Sequence, residues 1–210
     1  MWWVHDDTRL PDPYRAYLRA NESQGLGVIH DDVMEKTKIN IRYATAADAA
    51  LLAELGATTY HDTFAADNTP ENMAAYLAAS FGPDKQASEL ADPTSLFLIA
   101  EMDDVAVGYA RLKEGQPSAG ITGLRPIEIV RLYARKEWIG QGVGTTLMKA
   151  CLHEAEKRGC DTIWLGVWEH NPRGRAFYRK WGFVEVGTHI FQLGDDLQND
   201  LLMQRPVKAQ

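Results

Sequence analysis

Cysteine is the scarcest reactive residue in this chain of 210 residues, with Cys151 and Cys160 as its whole supply. Two thiols build neither a disulfide framework nor a zinc set, so no metal site is expected. Cys151 falls on the apolar stripe of a helical pattern, where a free thiol behaves as a small buried hydrophobe. Long apolar runs are also missing, and none approaches the roughly 20 residues that span a bilayer. The opening "MWWVHDDTRLPDPYR" has acids and prolines where a secretory signal would carry basic residues and then an apolar stretch. A cytoplasmic protein without membrane contact is the expectation. Positive charge is in deficit: 22 Lys and Arg stand against 29 Asp and Glu, a formal net charge of -7. That balance argues against nucleic acid as a partner and leans toward a cationic small substrate. No internal repeat and no low-complexity tract interrupts the chain.

What is present divides at about residue 38. Residues 1–38 mix Trp2 and Trp3 with the Asp12-Pro13 turn and the Gly25 and Gly27 pair, without a sustained period. They read as an N-terminal extension of uncertain order, outside a main domain over 39–207. From Ile39 the pattern sharpens. "INIRYA" alternates as a strand, and Thr45 caps the helical "AADAALLAELGATTYHDTF". Thr69 and Pro70 start a second helix, and "PDKQASELA" forms a third. "SLFLIAEM" and "VAVGYARLK" flank Asp103 and Asp104 as a hairpin. A Gly- and Pro-rich loop from Glu114 to Arg125 is expected to be mobile. "PIEIVRLYA" then reads as a strand, followed by a glycine stretch, a helix to about Arg158, the strand "DTIWLGVW" and a helix from Pro172 to Trp181. Two last strands, "FVEVGTHIFQL" and "DLLMQR", are joined by the turn "GDDLQN". The order is mixed α/β.

The glycine stretch "WIGQGVGTTL" carries the first functional signal. Four phosphate-binding arrangements compete for it, and spacing separates them. A Walker loop needs a lysine that does not follow Gly144, and a dinucleotide fingerprint needs Gly-x-Gly-x-x-Gly where Gly140, Gly142 and Gly144 give Gly-x-Gly-x-Gly. A kinase loop fails on the same spacing and lacks its partner motifs. A pyrophosphate cradle between strand and helix remains, as does a plain tight turn with no ligand. Glycines let backbone N–H groups approach an anion closely, and the helix behind adds unpaired N–H groups and its positive dipole end. An anion over the amides of Gln141 to Thr145, Val143 among them, follows from that geometry.

A second constellation, "NPRGRAFYRKWGF", has Asn171 as cap, Pro172 as first helical residue and Tyr178 one turn beyond Gly174. Together with "RLYARKEWIGQGVGTTLMKACLHEAEKRG", it resembles the paired acetyl-CoA motifs of the GCN5-related N-acetyltransferases (GNAT superfamily). The resemblance covers residues 39 to about 207 and is most specific from Ile127 to Gly187. "TFAADNTPENMAAYLAASFGPDKQASELADPTSLFLIAE", "IWLGVWEHN" and "VGTHIFQLGDDLQNDLLM" further resemble the bacterial PaiA-like branch, some of whose members acetylate polyamines. One position departs: the family loop reads Gln/Arg-x-x-Gly-x-Gly/Ala, which puts Ile139 in a polar place, with Gln141 as the residue positioned to compensate.

The resemblance implies a mostly antiparallel sheet of about seven strands, splayed between the fourth and fifth and flanked by helices. It implies acetyl-CoA as donor, held by Leu132, Tyr133 and Ala134, by Ile139 to Thr145, and by Asn171, Arg173, Ala176, Tyr178 and Lys180. Arg175 and Arg179 are further cations toward the nucleotide phosphates. Leu132 would offer its amide to the thioester oxygen, and Tyr178 would protonate the leaving thiolate. Glu128, read as sharing a strand face with Val130 and Leu132, is the first candidate base; it also reads as an ordinary strand carboxylate. Asp195 and Asp196 are candidate ammonium partners or simple turn formers. Tyr60, Phe64, Glu128 and Trp168 are placed on the acceptor wall, His61 beside them as a base or a structural histidine, and Trp164 shares the face of Trp168 in a pattern that also fits core. The expected activity is acetyl transfer to a primary amine of a small molecule (polyamine, amino acid or peptide) by direct attack, with a homodimer compatible. Alternatives are a catalytically silent CoA-binding sensor, and a nucleotide binder without CoA.

Overall fold

A computed structural model of the chain describes residues 38–208, so the expectations for the N-terminal extension lie outside the described residues. Seven strands form one sheet: β1 (Asn40–Tyr43), β2 (Ser95–Met102), β3 (Val105–Glu114), β4 (Pro126–Ala134), β5 (Thr162–Trp168), β6 (Val184–Leu193) and β7 (Asp196–Pro206). Five helices accompany them: α1 (Ala49–Phe64), α2 (Pro70–Phe81), α3 (Pro83–Ala91), α4 (Val143–Lys157) and α5 (Pro172–Lys180). The spatial order is β1-β2-β3-β4-β5-β7-β6. All neighbours run antiparallel except β4 and β5.

Local chemistry explains most of these boundaries. Thr69 accepts a hydrogen bond from the Asn72 amide and Pro70 occupies the first turn of α2, a pairing of cap and preset φ. Asp103 and Asp104 both take positive φ in the two-residue turn between β2 and β3, the conformation that matches strand twist. The loop before β4 is tied down rather than free: Asp161 accepts from the Leu124 amide at 2.8 Å, and the Gln204 side chain accepts from the Thr122 amide at 2.8 Å.

The last hairpin differs from its sequence reading. Its turn is only Gly194 and Asp195, with Leu193 opposite Asp196, so β7 begins four residues before the run "DLLMQR". Gly194, at φ +61, supplies the left-handed turn residue that permits so short a connection.

The sheet has two differently covered faces. Beneath α4, Leu147, Met148 and Cys151 pack on Ile127, Ile129, Ile163 and Leu165 in the main core. Cys151 is fully buried there, and burial pushes its thiol up to about 12, so it is an inert packing group. The opposite face carries α1 and α2, where Leu52 and Leu55 meet Ile99 and Tyr109, and Tyr60, Met73 and Phe81 meet Leu193. β4 and β5 pair only from Pro126 with Thr162 to Glu128 with Trp164. Beyond that point the strands diverge and open a gap in the sheet.

A bulge sits at the same place. Arg111 is opposite Arg131 while its neighbour Leu112 is opposite Ile129, which leaves Val130 as the extra residue on β4. The bulge reverses the alternation, so Glu128 does not share a face with Leu132, as simple period-two counting expected. Glu128 lies opposite Lys113 and Arg131 opposite Arg111, two positions apart on an unbroken stretch of β3. Glu128, Arg131 and Tyr133 therefore face α1 and α2, whereas Leu132 and Ala134 face α4 with Ile127 and Ile129.

Candidate functional site

The gap between β4 and β5 opens into a cavity of about 870 Å³ that is lined from both faces of the sheet. On the α4 side its wall begins with the glycine stretch. Gly140 (φ +85) and Gly142 (φ +94) take left-handed backbone that side chains disfavour, and Gly142 is the residue that starts α4. The first bond of that helix runs from the Thr146 amide to the Gly142 carbonyl at 2.9 Å. The amides of Val143, Gly144 and Thr145 are thus the unpaired donors of a helix N-terminus, a ready anion site.

One residue of the loop, Gln141, plays another part than the sequence suggested. The Gln141 amide donates to the Trp138 carbonyl at 3.2 Å, and its side chain donates to the Glu137 carbonyl at 2.7 Å. Gln141 is absent from the cavity wall and does not substitute for a polar residue at 139. Val143 contributes only backbone, because its side chain is buried against Gly108, where an added Cβ would lie 2.8 Å from Val143 Cγ1. Ile139 stands on the wall, 39 % exposed.

Asn171 caps α5 by accepting from the Gly174 amide at 2.9 Å, and it borders the cavity at the same time. Gly174 makes this cap possible, since a Cβ there would lie 2.9 Å from Asn171 Nδ2. Arg173, Ala176, Tyr178 and Lys180 also line the cavity. Arg175 and Arg179 do not: both are drawn to Glu185, at 3.5 and 2.5 Å. Tyr178 packs its ring against Phe177 and Phe183, and burial holds its phenol well above the ordinary range. It is a neutral hydroxyl that keeps its proton at any physiological pH.

The backbone of β4 supplies the next element. The Arg135 amide bonds to the Val107 carbonyl of β3 at 2.9 Å. Alternation along the strand then turns the amides of Leu132 and Ala134 the other way, into the gap, and both residues line the cavity with Tyr133.

The face under α1 and α2 is aromatic and acidic. Tyr60 lies 4.5 Å from Tyr76 and 4.7 Å from Phe64 by ring centroids; Phe64 meets Trp168 at 6.1 Å, and Tyr76 meets Phe191 at 5.5 Å. All of them border the cavity, with Trp164. His61 does not: it is exposed, beside Asp62. Asp195 and Asp196 are also off the wall.

Two carboxylates do reach it, Glu128 and Asp200. Burial raises the pKa of Glu128 against the opposing pull of Arg111, His189 and Lys113. Burial raises Asp200 to about 6, with His189 opposing. Asp200 was missed by sequence reasoning because the expected six-residue turn set the register of β6 and β7 wrongly. The true two-residue turn places Asp200 between Trp168 on β5 and His189 on β6, and both of those line the cavity.

Behind this wall stands a buried charge cluster. Glu89 bridges Arg131 at 2.6 Å and Arg111 at 2.8 Å, each partner less than a tenth exposed. Arg131 borders the cavity and stacks over Phe81 at 4.8 Å. Among the described residues no cluster of His, Cys, Asp and Glu has the makings of a metal site, and no helix is long and apolar enough to cross a membrane.

Comparison with known proteins adds an independent line. Residues 58–183 match the family model described as Acetyltransferase (GNAT) family. An uncharacterized N-acetyltransferase in the pepI 3' region of Lactobacillus delbrueckii subsp. lactis is 32% identical over 171 residues, 81% of this chain and 99% of that protein. The spermidine N(1)-acetyltransferase of Thermoplasma acidophilum is 27% identical over 154 residues, 71% of this chain and 91% of that protein. In fold, the chain is similar to the crystal structure of PaiA N-acetyltransferase from Thermoplasma acidophilum in complex with coenzyme A. That match has a TM-score of 0.64 at 24% identity and covers 80% of this chain and 99% of the other.

Proposed function

Since the chain belongs to the acetyltransferase (GNAT) family and is an N-acetyltransferase, we propose that it moves the acetyl group of acetyl-CoA to a primary amine of a small cationic molecule, by direct attack across the gap between β4 and β5. The observation that carries this reading is the two-sided cavity. Anion-binding amides and a phenol stand on one face of the sheet, and an aromatic wall with two half-buried carboxylates stands on the other.

The donor side fits a pyrophosphate. The free amides of Val143 to Thr145 take its oxygens, the left-handed Gly140 and Gly142 bring the backbone close, and Arg173 and Lys180 add diffuse positive charge. Asn171 holds the pantetheine arm with the amide hydrogens its cap leaves free. The exposed edge of β4 receives that arm as an added strand would be received. The Leu132 amide donates to the thioester oxygen and stabilises the charge that develops there. Tyr178 donates its phenolic proton toward the departing sulfur; because a thiol near about 8.5 is a stronger acid than a phenol, the transfer is completed only as Tyr178 regains a proton from the amine nitrogen.

The acceptor side fits a cation. Rings of Tyr60, Tyr76, Phe64 and Trp168 offer their faces to an ammonium, worth roughly 0.5–2 kcal/mol per contact. Glu128 and Asp200 supply the negative charge, while Glu89 neutralises much of the Arg131 charge behind them. The spermidine acetyltransferase similarity makes polyamines the first acceptors to try.

The test is thiol release from acetyl-CoA with a panel of polyamines, amino acids and peptides. Turnover with at least one cationic amine is the expected result. CoA binding by calorimetry, with no thiol release from any amine, would convert the enzyme reading into a sensor reading.

A further inference from the structure

Direct attack needs a neutral amine, yet alkyl ammonium groups hold their proton up to a pH of about 10. Resting on the acetyltransferase reading above, we propose that Asp200 is the group that takes this proton, with His189 as the positioning residue that passes it on to solvent.

Register is the first argument. The last paired level of β4 and β5 is Glu128 with Trp164. Extending the parallel register past it, with the Val130 bulge absorbing one residue, brings Leu132 level with Val167, one residue short of Trp168. Asp200 is the β7 partner of Trp168 and therefore stands across the gap within one residue of the level of the Leu132 amide, where the chemistry is placed. Glu128 lies three paired levels behind, opposite Lys113 where Leu132 is opposite Ala110, roughly 10 Å at about 3.3 Å per residue.

Space is the second argument. Asp200 does not stay over its own strand. Its carboxylate leans across β5 over Gly166, where an added Cβ would lie 3.2 Å from Asp200 Oδ2 and 3.7 Å from His189 Cε1. The lack of a side chain at 166 opens the path from β7 to the cavity. All three residues line that cavity.

Charge and access are the third. Glu128 feels Arg111, His189 and Lys113, all of which oppose its protonation, so two permanent cations act on it besides the imidazole. The titratable groups facing Asp200 are His189 on β6, Tyr60 on α1 and Tyr76 on α2, with Glu128 across the gap. Only the imidazole among these eases ionisation of Asp200. Asp200 is part-buried, whereas His189 is exposed yet on the cavity wall, so a proton has a two-step route outward. A base titrating at about 6 suits work near neutral pH.

The balance is complete. R–NH3+ gives one proton to the Asp200 carboxylate, which loses it through His189 to solvent. The freed nitrogen lone pair forms the C–N bond, and the C–S electrons leave on sulfur. Tyr178 protonates that thiolate and recovers a proton, through water, from the new amide nitrogen. The sum is R–NH3+ plus acetyl-CoA giving the acetamide, CoA thiol and one released proton.

The experiment compares wild type, D200N, H189N and E128Q with acetyl-CoA and spermidine, or whichever panel amine turns over. D200N should lower kcat by about 10²-fold or more and abolish the rise of rate with pH centred near 6. H189N should retain Asp200 but slow, and added imidazole should restore it. CoA affinity by calorimetry should stay within about twofold in all variants, because the donor site is on the other face. An active wild type whose D200N variant keeps its rate and pH limb, while E128Q loses both, overturns the assignment alone. A wild type that binds CoA and releases no thiol overturns the enzymatic reading and the assignment together.

Discussion

Replacing Asp200 by Asn should stabilise the protein while disabling it. In the folded chain, burial raises the carboxyl from 3.8 to about 6. The folded state thus binds the proton more tightly than the unfolded state does, and stability falls as pH rises from about 4 to about 6. Above that window the folded protein carries a charge that burial disfavours. At 1.36 kcal/mol per unit of pKa, the deficit is on the order of 3 kcal/mol, an upper figure because cavity water screens part of it. Asn has the same shape and no charge, so D200N should recover most of this at pH 7.5 and nothing at pH 4. For a domain of this size, a gain of about 3 kcal/mol moves the melting temperature up by roughly 6–12 °C. Denaturation of both proteins at the two pH values is the assay. Equal destabilisation at both would refute the reasoning, since it would mean that Asp200 serves packing or hydrogen bonding rather than holding an unfavourable charge for use.

Three further outcomes follow from other parts of the molecule. Glu89→Gln leaves Arg111 and Arg131 buried together without their shared carboxylate; a loss of about 3–5 kcal/mol in urea unfolding is expected, and amine KM should rise as the Arg131 charge reaches the acceptor wall. Tyr178→Phe should cut kcat by about 10²-fold or more with CoA affinity preserved in calorimetry. Gly142→Ala forces a side chain into φ +94, at a cost of roughly 1–2 kcal/mol, and should weaken CoA binding, whereas Gln141→Ala should leave it unchanged.

Much of the donor side could be read directly from the residues. Gly140, Gly142, Asn171 and Pro172 announce their backbone roles locally, because a left-handed turn or a helix cap is decided within a few positions. The acceptor side depends on long-range register, which local patterns do not encode. "PIEIVRL" does break its alternation at Ile129-Val130, which sets Glu128 and Arg131 three apart, but period-two counting passes over so small a break, and the bulge takes its meaning only in relation to β3. Asp200 and His189 become neighbours only if the turn between them is Gly194 and Asp195, and "GDDLQN" is polar enough to pass as a turn throughout. Gln141 reads as an anion contact that compensates for Ile139, but its donors are consumed by the turn that shapes the loop.

The reversal at Val130 has a practical outcome for anyone altering specificity. Because donor and acceptor contacts leave the same short strand in opposite directions, the sheet works as a partition between two separately adjustable half-sites. Substitutions at Tyr60, Tyr76 or Phe191 should combine additively with those at Arg173 or Lys180, as distant positions without shared partners do. A library confined to the aromatic wall can then be screened for new amines with CoA affinity as its internal constant, and an acceptor can be exchanged without rebuilding the half that holds the donor.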